Sequence, residues 1–323
     1  MVSTVVLNIS WCRFEGSCNI GCMIRLLALP FLLGSSILMA EVARPDGVLP
    51  AYVLQLPDSV DDILIVETDS STMYRFGQGD DALENRGTHY VSIGENGVGK
   101  QRPWDRRTPL GIYFISEQLD TRLLHEKYGP TAFPLDYPNV RDRSLRRGGD
   151  GIWIHGVAPQ AGNRPPRDTD GCIALRNDEL LAIADKLLPL VTPVVITRKI
   201  DWRRPQQIAA LREELNAALD AWAKSYESGD LHRYLSSYAD NFEYRGMIRS
   251  EWAAFRTATF TNVVRSLALD DVLLLADPEE SDLYLSRFRQ EISDDERTVA
   301  TIKRLYWQRS VDGKLRIIAE DNG

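Results

Sequence analysis

The pattern of hydrophobic and polar positions divides the chain into two regions with different predicted structure. From about residue 60 to residue 200, short runs of β-branched and aromatic residues alternate with Gly, Pro and Asn, which is typical of short strands joined by turns. Asn177 is predicted to cap a helix whose apolar residues share one face. The region is therefore predicted to be mostly β, with strands at 63–66, 88–93, 111–115, 152–154 and 194–196.

After residue 205 the apolar positions recur with the period of a helix. Residues 206–227 carry apolar side chains on one side, which predicts a long amphipathic helix. Two more helices are predicted, one ending near Tyr238 and one over 250–264. Asp312-Gly313 is predicted to form the hairpin turn between the last two of four strands, at 266–275, 282–292, 298–308 and 314–320. Helices followed by a curled antiparallel sheet indicate an α+β domain with one concave face.

The segment 201–205 separates the two regions. It is interpreted as a linker, because it is charged and its proline interrupts regular structure. The predicted division of the chain is an extension with a leader, a lead-in segment, a first domain, the linker and a second domain, at 1–40, 41–60, 61–200, 201–205 and 206–323.

The first 40 residues have the order of a secretory signal peptide. One positive charge in Met23-Ile24-Arg25 is followed by an apolar run that ends at Ala40. The run has about fifteen residues, whereas a membrane span needs roughly twenty. We therefore predict export to the periplasm, with Met23 as the true start and residues 1–22 as an upstream misreading of the start codon. An uncleaved amino-terminal anchor is the alternative.

The charge of the chain excludes one class of partner. The formal net charge is −8, and the first 40 residues carry a small positive excess, so the exported part is more acidic still. Nucleic-acid binding needs a basic face that neutralises phosphates, and we therefore predict no nucleic-acid partner. No cofactor is predicted.

The cysteines point to a reactive thiol. Three of the four cysteines precede the apolar leader, so the exported part keeps only Cys172, which has no partner for a disulfide. Such a thiol is either buried and inert or exposed and reactive. His155-Gly156 stands upstream, and Cys172 ends the run Thr169-Asp170-Gly171-Cys172. We expect the proline-rich loop between them to bring thiol and imidazole together, with the sulfur open to solvent and ionised by the ring.

The neighbours of the thiol suggest further roles. Gly171 permits a sharp turn, so the amides of Gly171 and Cys172 are expected to face a developing oxyanion. Thr169 is expected to fix the loop or orient the imidazole. Zinc binding by His155 and Cys172 is the rival hypothesis, but no second cysteine or neighbouring histidine supplies the further ligands, and no metal is predicted.

At these residues the chain resembles the L,D-transpeptidase family, whose YkuD-type domain is mostly β. The family pattern is a His-Gly pair followed by Ser or Thr, any residue, Gly and Cys. Other similar segments are Gly99-Lys100, 108–113 and 192–194. The chain departs from the pattern at Ala174, where many members have Arg. It resembles instead the subgroup with Phe133-Pro134-Leu135-Asp136-Tyr137-Pro138-Asn139 between the two halves of the domain, which includes hydrolytic enzymes.

The resemblance implies a mechanism on peptidoglycan stem peptides. Cys172 would attack the diaminopimelate carbonyl of a tetrapeptide and expel D-alanine, and His155 would first accept and then return a proton. The acyl-enzyme would pass to an amine, giving a cross-link, or to water, giving a tripeptide. Carbapenem-type inhibitors are expected to acylate the same thiol. The residues expected to contact substrate are Tyr137, Gly156, Arg164, Arg167 and Arg176, and Arg141 and Arg143 are further candidates for carboxylate binding.

The second region resembles the nuclear-transport-factor-like cone, also called SnoaL-type, on its long first helix and its final paired strands. A dimerisation or substrate-positioning module is the favoured interpretation, and its ligand is left open. A YkuD-type domain joined to such a cone is similar in architecture to cell-shape-determining L,D-carboxypeptidases. Two alternatives stay open: amidase-like release of wall-attached protein, and a non-catalytic wall-binding scaffold.

Overall fold

A computed structural model describes residues 47–79, 83–162, 164–260, 266–293 and 297–323. The predicted leader with its Met23 start, the first six residues of the lead-in segment and the end of the helix predicted over 250–264 lie outside these residues. The described residues belong to one compact unit. Among them, no helix has the length and apolar character needed to cross a membrane.

The first region is built from short strands, as predicted. Its elements are β1 Leu49–Pro50, β2 Val53–Gln55, β3 Ile63–Glu67, β4 Thr72–Gln78, β5 Leu83–Tyr90, β6 Ile93–Gly94, β7 Gly111–Phe114, β8 Leu119–Asp120, β9 Thr131–Pro134, α1 Val140–Ser144, β10 Trp153–His155, β11 Arg167–Thr169, β12 Ile173–Ala174, α2 Asn177–Ile183, β13 Pro193–Thr197 and β14 Trp202–Arg203. Single 3-10 turns lie at Thr121–Leu123, Glu126–Tyr128 and Ala184–Lys186.

Two sheets enclose the core of this region. One has the strand order β5-β4-β3-β13-β7, and the other has the order β12-β10-β9-β8. β3 is buried along its whole length because it is a central strand, which explains its continuous apolar run. β10 and β12 are parallel, with Ile154 opposite Ile173 and His155 opposite Ala174. This register places the residues that flank the two strands at one edge of the sheet.

The second region is an α+β domain, as predicted. Its elements are α3 Pro205–Glu227, α4 Leu231–Ser236, β15 Tyr238–Tyr244, β16 Met247–Ile248, α5 Arg249–Thr259, β17 Ser266–Ala276, β18 Leu283–Ser293, β19 Thr298–Arg309 and β20 Leu315–Asp321. The long strands form a sheet of order β16-β15-β20-β19-β18-β17-β2. The helices pack on it through an aromatic core that includes Trp222, Tyr238 and Trp252. The predicted fold class is thus confirmed for both regions.

Two local predictions differ from the structure. The segment read as a linker contains β14, which pairs with β1, and Pro205 occupies the first turn of α3, where its missing N–H costs no hydrogen bond. Asn177 is not a cap but the first residue of α2. Its side chain instead accepts from the Val157 amide at 2.8 Å and donates to the Val157 carbonyl oxygen at 2.9 Å.

The two regions share one hydrophobic cluster. It joins the outer face of the first sheet to the sheet of the second region, through Ile63, Ile65, Phe114, Val195, Leu273, Leu285 and Tyr306 among others. β2 lies near the start of the first region in the chain but pairs with β17 at the edge of the second sheet. The regions are therefore packed together by apolar burial and by backbone hydrogen bonds.

Candidate active site

A cleft of about 670 Å³ opens at the edge of the sheet where β10 ends and β12 begins. His155 is the last residue of β10, and Cys172 directly precedes β12. Both residues line this cleft, so the structure brings the predicted nucleophile and base to one site. The other lining residues include Lys100, Trp104, Arg106, Lys127, Tyr128, Trp153, Arg164, Asp168, Thr169 and Asp170.

The hydrogen bonding of His155 defines which ring nitrogen is free. Nδ1 lies 2.6 Å from the Gly156 carbonyl oxygen. Because a carbonyl oxygen only accepts, Nδ1 carries the proton and Nε2 keeps a lone pair. Burial lowers the pKa of His155 to about 4, and the bond to Gly156 only partly opposes this shift. The ring is therefore neutral near pH 7 and able to accept a proton.

The thiol of Cys172 is neutral in the free protein. The residue is 7% exposed, and Sγ donates to the Gly151 carbonyl oxygen at 3.3 Å. Burial raises the pKa of Cys172 to about 11, against the opposing effect of a hydrogen bond from the Trp153 backbone. The expectation of a solvent-open sulfur already ionised by the ring is thus wrong for the resting site. The proton must leave the sulfur as it attacks.

Thr169 and Gly171 shape the turn that carries the nucleophile. Thr169 Oγ1 donates to the Cys172 carbonyl oxygen at 2.7 Å and accepts from the Gly171 amide at 3.1 Å. Gly171 has φ +122°, and a Cβ on it would lie 2.8 Å from the Arg107 carbonyl oxygen, so only glycine fits. Through its two hydrogen bonds Thr169 holds the turn that carries Cys172, which agrees with the loop-fixing role expected of it.

The same turn distinguishes the two predicted oxyanion donors. The Gly171 amide is already bonded to Thr169, so its predicted oxyanion role gains no support from this geometry. The strand pairing of β12 starts at Ile173, one residue after Cys172. Of the two amides, that of Cys172 is consequently the better candidate donor.

The predicted substrate-binding residues are only partly at the cleft. Arg164 lines it and pairs with Asp168 at 2.9 Å. A Cβ on Gly156 would lie 2.3 Å from the Asn177 side chain, so this glycine serves close packing beside the site. The other three predicted residues, Tyr137, Arg167 and Arg176, are not among the lining residues.

Two of these residues, Tyr137 and Arg176, have other contacts, and Arg167 lies on β11, which pairs with β6. The Tyr137 side chain is buried in the core and donates to the Gly148 carbonyl oxygen at 3.0 Å. Arg176 precedes α2 and pairs with Asp178 at 2.8 Å. Arg141, the further carboxylate candidate, pairs with Glu280 of the second region. Tyr137, Arg176 and Arg141 therefore serve packing or ion pairing in the structure.

Several cleft residues were not predicted from the sequence. Lys127 and Tyr128 lie on the 3-10 turn Glu126–Tyr128, and the Tyr128 ring is 4.7 Å from Trp153 and 5.1 Å from His155, measured between centroids. Trp104 is 94% exposed on the opposite loop. One short turn and one loop bear these residues, and neither has the periodicity that marks a helix or strand.

Comparison with protein families identifies the first region. Residues 61–196 match the model of the L,D-transpeptidase catalytic domain, YkuD. This region is a YkuD catalytic domain. Residues 214–321 match the model of the Cds6 C-terminal NTF2-like domain, so the chain is a YkuD domain followed by an NTF2-like domain.

Solved structures share this two-domain fold. The helical cell shape determining protein Pgp2 from Campylobacter jejuni is 25% identical, with a TM-score of 0.68 over 87% of this chain and 96% of that one. Bd1075 from Bdellovibrio bacteriovorus is 23% identical, with a TM-score of 0.71 over 85% of this chain and 98% of that one. No curated protein matches the chain. The two-domain fold of this chain thus occurs in both of these solved structures.

Proposed function

We propose that this protein is a periplasmic L,D-carboxypeptidase that trims peptidoglycan stem peptides. It belongs among L,D-transpeptidase-type enzymes of the cell wall by its catalytic domain. The observation that carries the proposal is that a free thiol and a neutral imidazole line one open cleft, with Nδ1 of His155 bonded to a carbonyl oxygen. The likeness in fold to a cell shape determining protein supports a role in wall shape.

The first half-reaction forms an acyl-enzyme. Sγ of Cys172 attacks the diaminopimelate carbonyl carbon while Nε2 of His155 accepts the thiol proton. The developing oxyanion is placed beside the Cys172 amide. The tetrahedral intermediate then collapses, the C–N bond breaks, and the imidazolium gives its proton to the nitrogen of the departing D-alanine. A thioester and neutral His155 remain.

The second half-reaction restores the thiol. A water molecule attacks the thioester carbonyl as His155 takes its proton, the C–S bond breaks, and the imidazolium returns that proton to the sulfur, which gives the tripeptide acid and the free thiol. An amine in place of water would give a cross-link by the same steps. We favour water because this chain has Ala174 where many transpeptidases of the family have Arg, and because its two-domain architecture resembles that of L,D-carboxypeptidases.

Incubation with a disaccharide-tetrapeptide followed by mass spectrometry tests the proposal. The expected product is the tripeptide with loss of one D-alanine. A dimer linked between two diaminopimelates would show transfer instead, and an unchanged substrate would contradict an enzyme of this class. Incubation with a carbapenem should add one acyl mass to the protein, which a non-catalytic scaffold would not acquire.

Variants assign the chemistry to the two residues. Cys172→Ala should abolish both the tripeptide and the carbapenem adduct, and His155→Ala should lower turnover by roughly a thousandfold or more. His232→Ala is the matched control, because this histidine is exposed on α4 of the second domain. Equal losses in His155→Ala and His232→Ala would contradict the assignment of the base.

A further inference from the structure

Three charged side chains converge at the mouth of the cleft beside the nucleophile. The Lys127 ammonium lies 3.3 Å from Asp170 Oδ2, and Arg106 Nε lies 3.7 Å from Asp170 Oδ1. Asp170 is two residues before Cys172. One carboxylate therefore bridges two cations in the cleft that Cys172 also lines.

Lys127 is held in place by the aromatic residues of the site. Its ammonium lies 5.1 Å from the centroid of the Tyr128 ring, and that ring packs at 80° to the ring of His155. The Lys127 amide donates to His125 Nδ1 at 3.1 Å, which fixes the 3-10 turn. The Lys127 ammonium and the His155 ring thus lie beside the same aromatic side chain.

The opposite wall is also held rigidly. The Asp105 carboxylate accepts from the amides of Gln101, Arg102 and Arg107 and from the Lys100 ammonium at 2.8 Å. This network folds the loop that carries Arg106, whose φ of +53° is unusual for a side chain of its size. Arg106 also pairs with Glu95 on the same wall.

Of these three charged side chains, Asp170 is the one that another carboxylate can replace. The side chain of Asp170 is 67% exposed, and those of Lys127 and Arg106 are 45% and 52% exposed. Ion pairs at such exposure contribute little to folding stability, because water solvates both partners well. A second carboxylate arriving from solution can therefore replace Asp170 at low cost.

We propose that Lys127, assisted by Arg106, binds the terminal carboxylate of the donor peptide, and that Asp170 occupies the place of this carboxylate in the free enzyme. This inference rests on the proposed function. A carboxylate one residue beyond the scissile carbonyl lies about one residue length from the reacting carbon, and Lys127, Arg106 and Asp170 line the same cleft as Cys172. The cleft would then select bonds that lie one residue from a free carboxyl end.

A pair of substrates separates charge recognition from catalysis. Initial rates are measured with the tetrapeptide and with the same peptide ending in a carboxamide. The native enzyme should prefer the acid. Lys127→Met should raise KM for the acid about tenfold, the usual scale for loss of one charge-assisted hydrogen bond, and leave KM for the amide unchanged. Lys127→Arg should keep the preference.

Asp170→Asn provides a test in the opposite direction. Removal of the internal competitor should lower KM for the acid several-fold and leave the amide unaffected. Arg122→Met is the matched control, since Arg122 pairs with Asp120 in an exposed ion pair only five residues before Lys127. It should change neither KM.

The outcomes distinguish this inference from the proposed function. If the native enzyme releases D-alanine but Lys127→Met leaves the ratio of acid to amide turnover unchanged, the assignment of Lys127 is wrong and the enzyme activity stands. A higher KM for the acid in Asp170→Asn would likewise overturn it. If the native enzyme cleaves neither peptide, the proposed function itself fails.

Discussion

Two clusters of paired carboxylates and cations in this molecule differ in their exposure to water. At the cleft, Asp170 and its two cations lie largely in water. Between the domains, Arg304 is 9% exposed and pairs with Asp136 at 2.5 Å and with Asp321 at 2.6 Å. Burial raises the pKa of Asp136, and Arg304 opposes that shift. Similar chemical groups therefore fasten two domains in one place and form an exchangeable ligand site in the other.

The surroundings of each site account for this difference. The guanidinium of Arg304 lies 5.3 Å from the Phe114 ring, within the hydrophobic cluster shared by both domains. Arg287 beside it donates to the Leu190 carbonyl oxygen at 2.6 Å. A charge in such a place cannot be solvated when its partner is lost, whereas Asp170 can.

The largest expected effect concerns the reactivity of the Cys172 thiol, which is buried although it lines an open cleft. With its pKa raised to about 11 by burial, the thiolate fraction should grow about tenfold for each pH unit between pH 7 and 10. We expect the rate of alkylation by iodoacetamide, followed by intact mass, to rise over that whole interval. A plateau near neutral pH that disappears in His155→Ala would instead show a thiolate–imidazolium pair.

Removal of Arg304 should have the next largest effect. Arg304→Met leaves Asp136 and Asp321 without their partner, so we expect a loss of about 3–5 kcal/mol in the free energy of unfolding. Chemical denaturation of Arg304→Met and of Arg316→Met measures the contrast, because Arg316 pairs with Asp312 at an exposed hairpin. The control should lose about 0–1 kcal/mol. Equal losses would refute the contrast between buried and exposed pairs.

Asp277 adds a pH dependence to the domain interface. It lines a small cavity there, and burial raises its pKa from 3.8 to about 6. The folded protein thus binds a proton at Asp277 more tightly than the unfolded protein does. The free energy of unfolding that this protonation contributes is lost as the pH rises from about 4 to about 6. Asp277→Asn should therefore be more stable than the native protein at pH 7 by about 1–2 kcal/mol, with a smaller difference at pH 4.

Denaturation at both pH values checks this prediction. Asp185→Asn is the control, since Asp185 is exposed on the surface of the first domain. It should show no such change with pH. A variant at Asp277 that is less stable at pH 7 than at pH 4, relative to the native protein, would contradict the sign.

Asp170→Asn should have the smallest effect on stability. Its exposed pairs are worth about 0–1 kcal/mol, so the free energy of unfolding should stay near the native value. Thermal and chemical denaturation measure it alongside the kinetic assay. A loss as large as that in Arg304→Met would mean that Asp170 supports the fold, and the contrast between the two regions would fail.

The sequence predicted the parts of this structure that depend on short-range patterns. The strand runs, the long helix after Arg204 and the hairpin at Asp312-Gly313 follow from periodicity and turn residues. The motif around Cys172 led to His155 because both belong to a family pattern with a fixed order. These features need only neighbouring residues or a known motif.

The parts that were missed depend on contacts between distant segments. Asp136 and Arg304 are far apart in the chain, and neither is distinguished by its neighbours from an ordinary surface charge. Lys127 reaches the cleft on a single 3-10 turn, which carries no periodic signal. The neutral state of the thiol likewise depends on burial by the whole fold, which the motif does not encode.

The pairing of β2 with β17 has a consequence for any attempt to divide the protein. A fragment that stops before Pro205 would leave β2 with no neighbour and would open the outer face of Ile63 and Ile65 to water. Such a fragment would be prone to aggregate through its unpaired strand and its exposed apolar face. We therefore expect the catalytic domain to need the second domain in order to fold as a soluble unit.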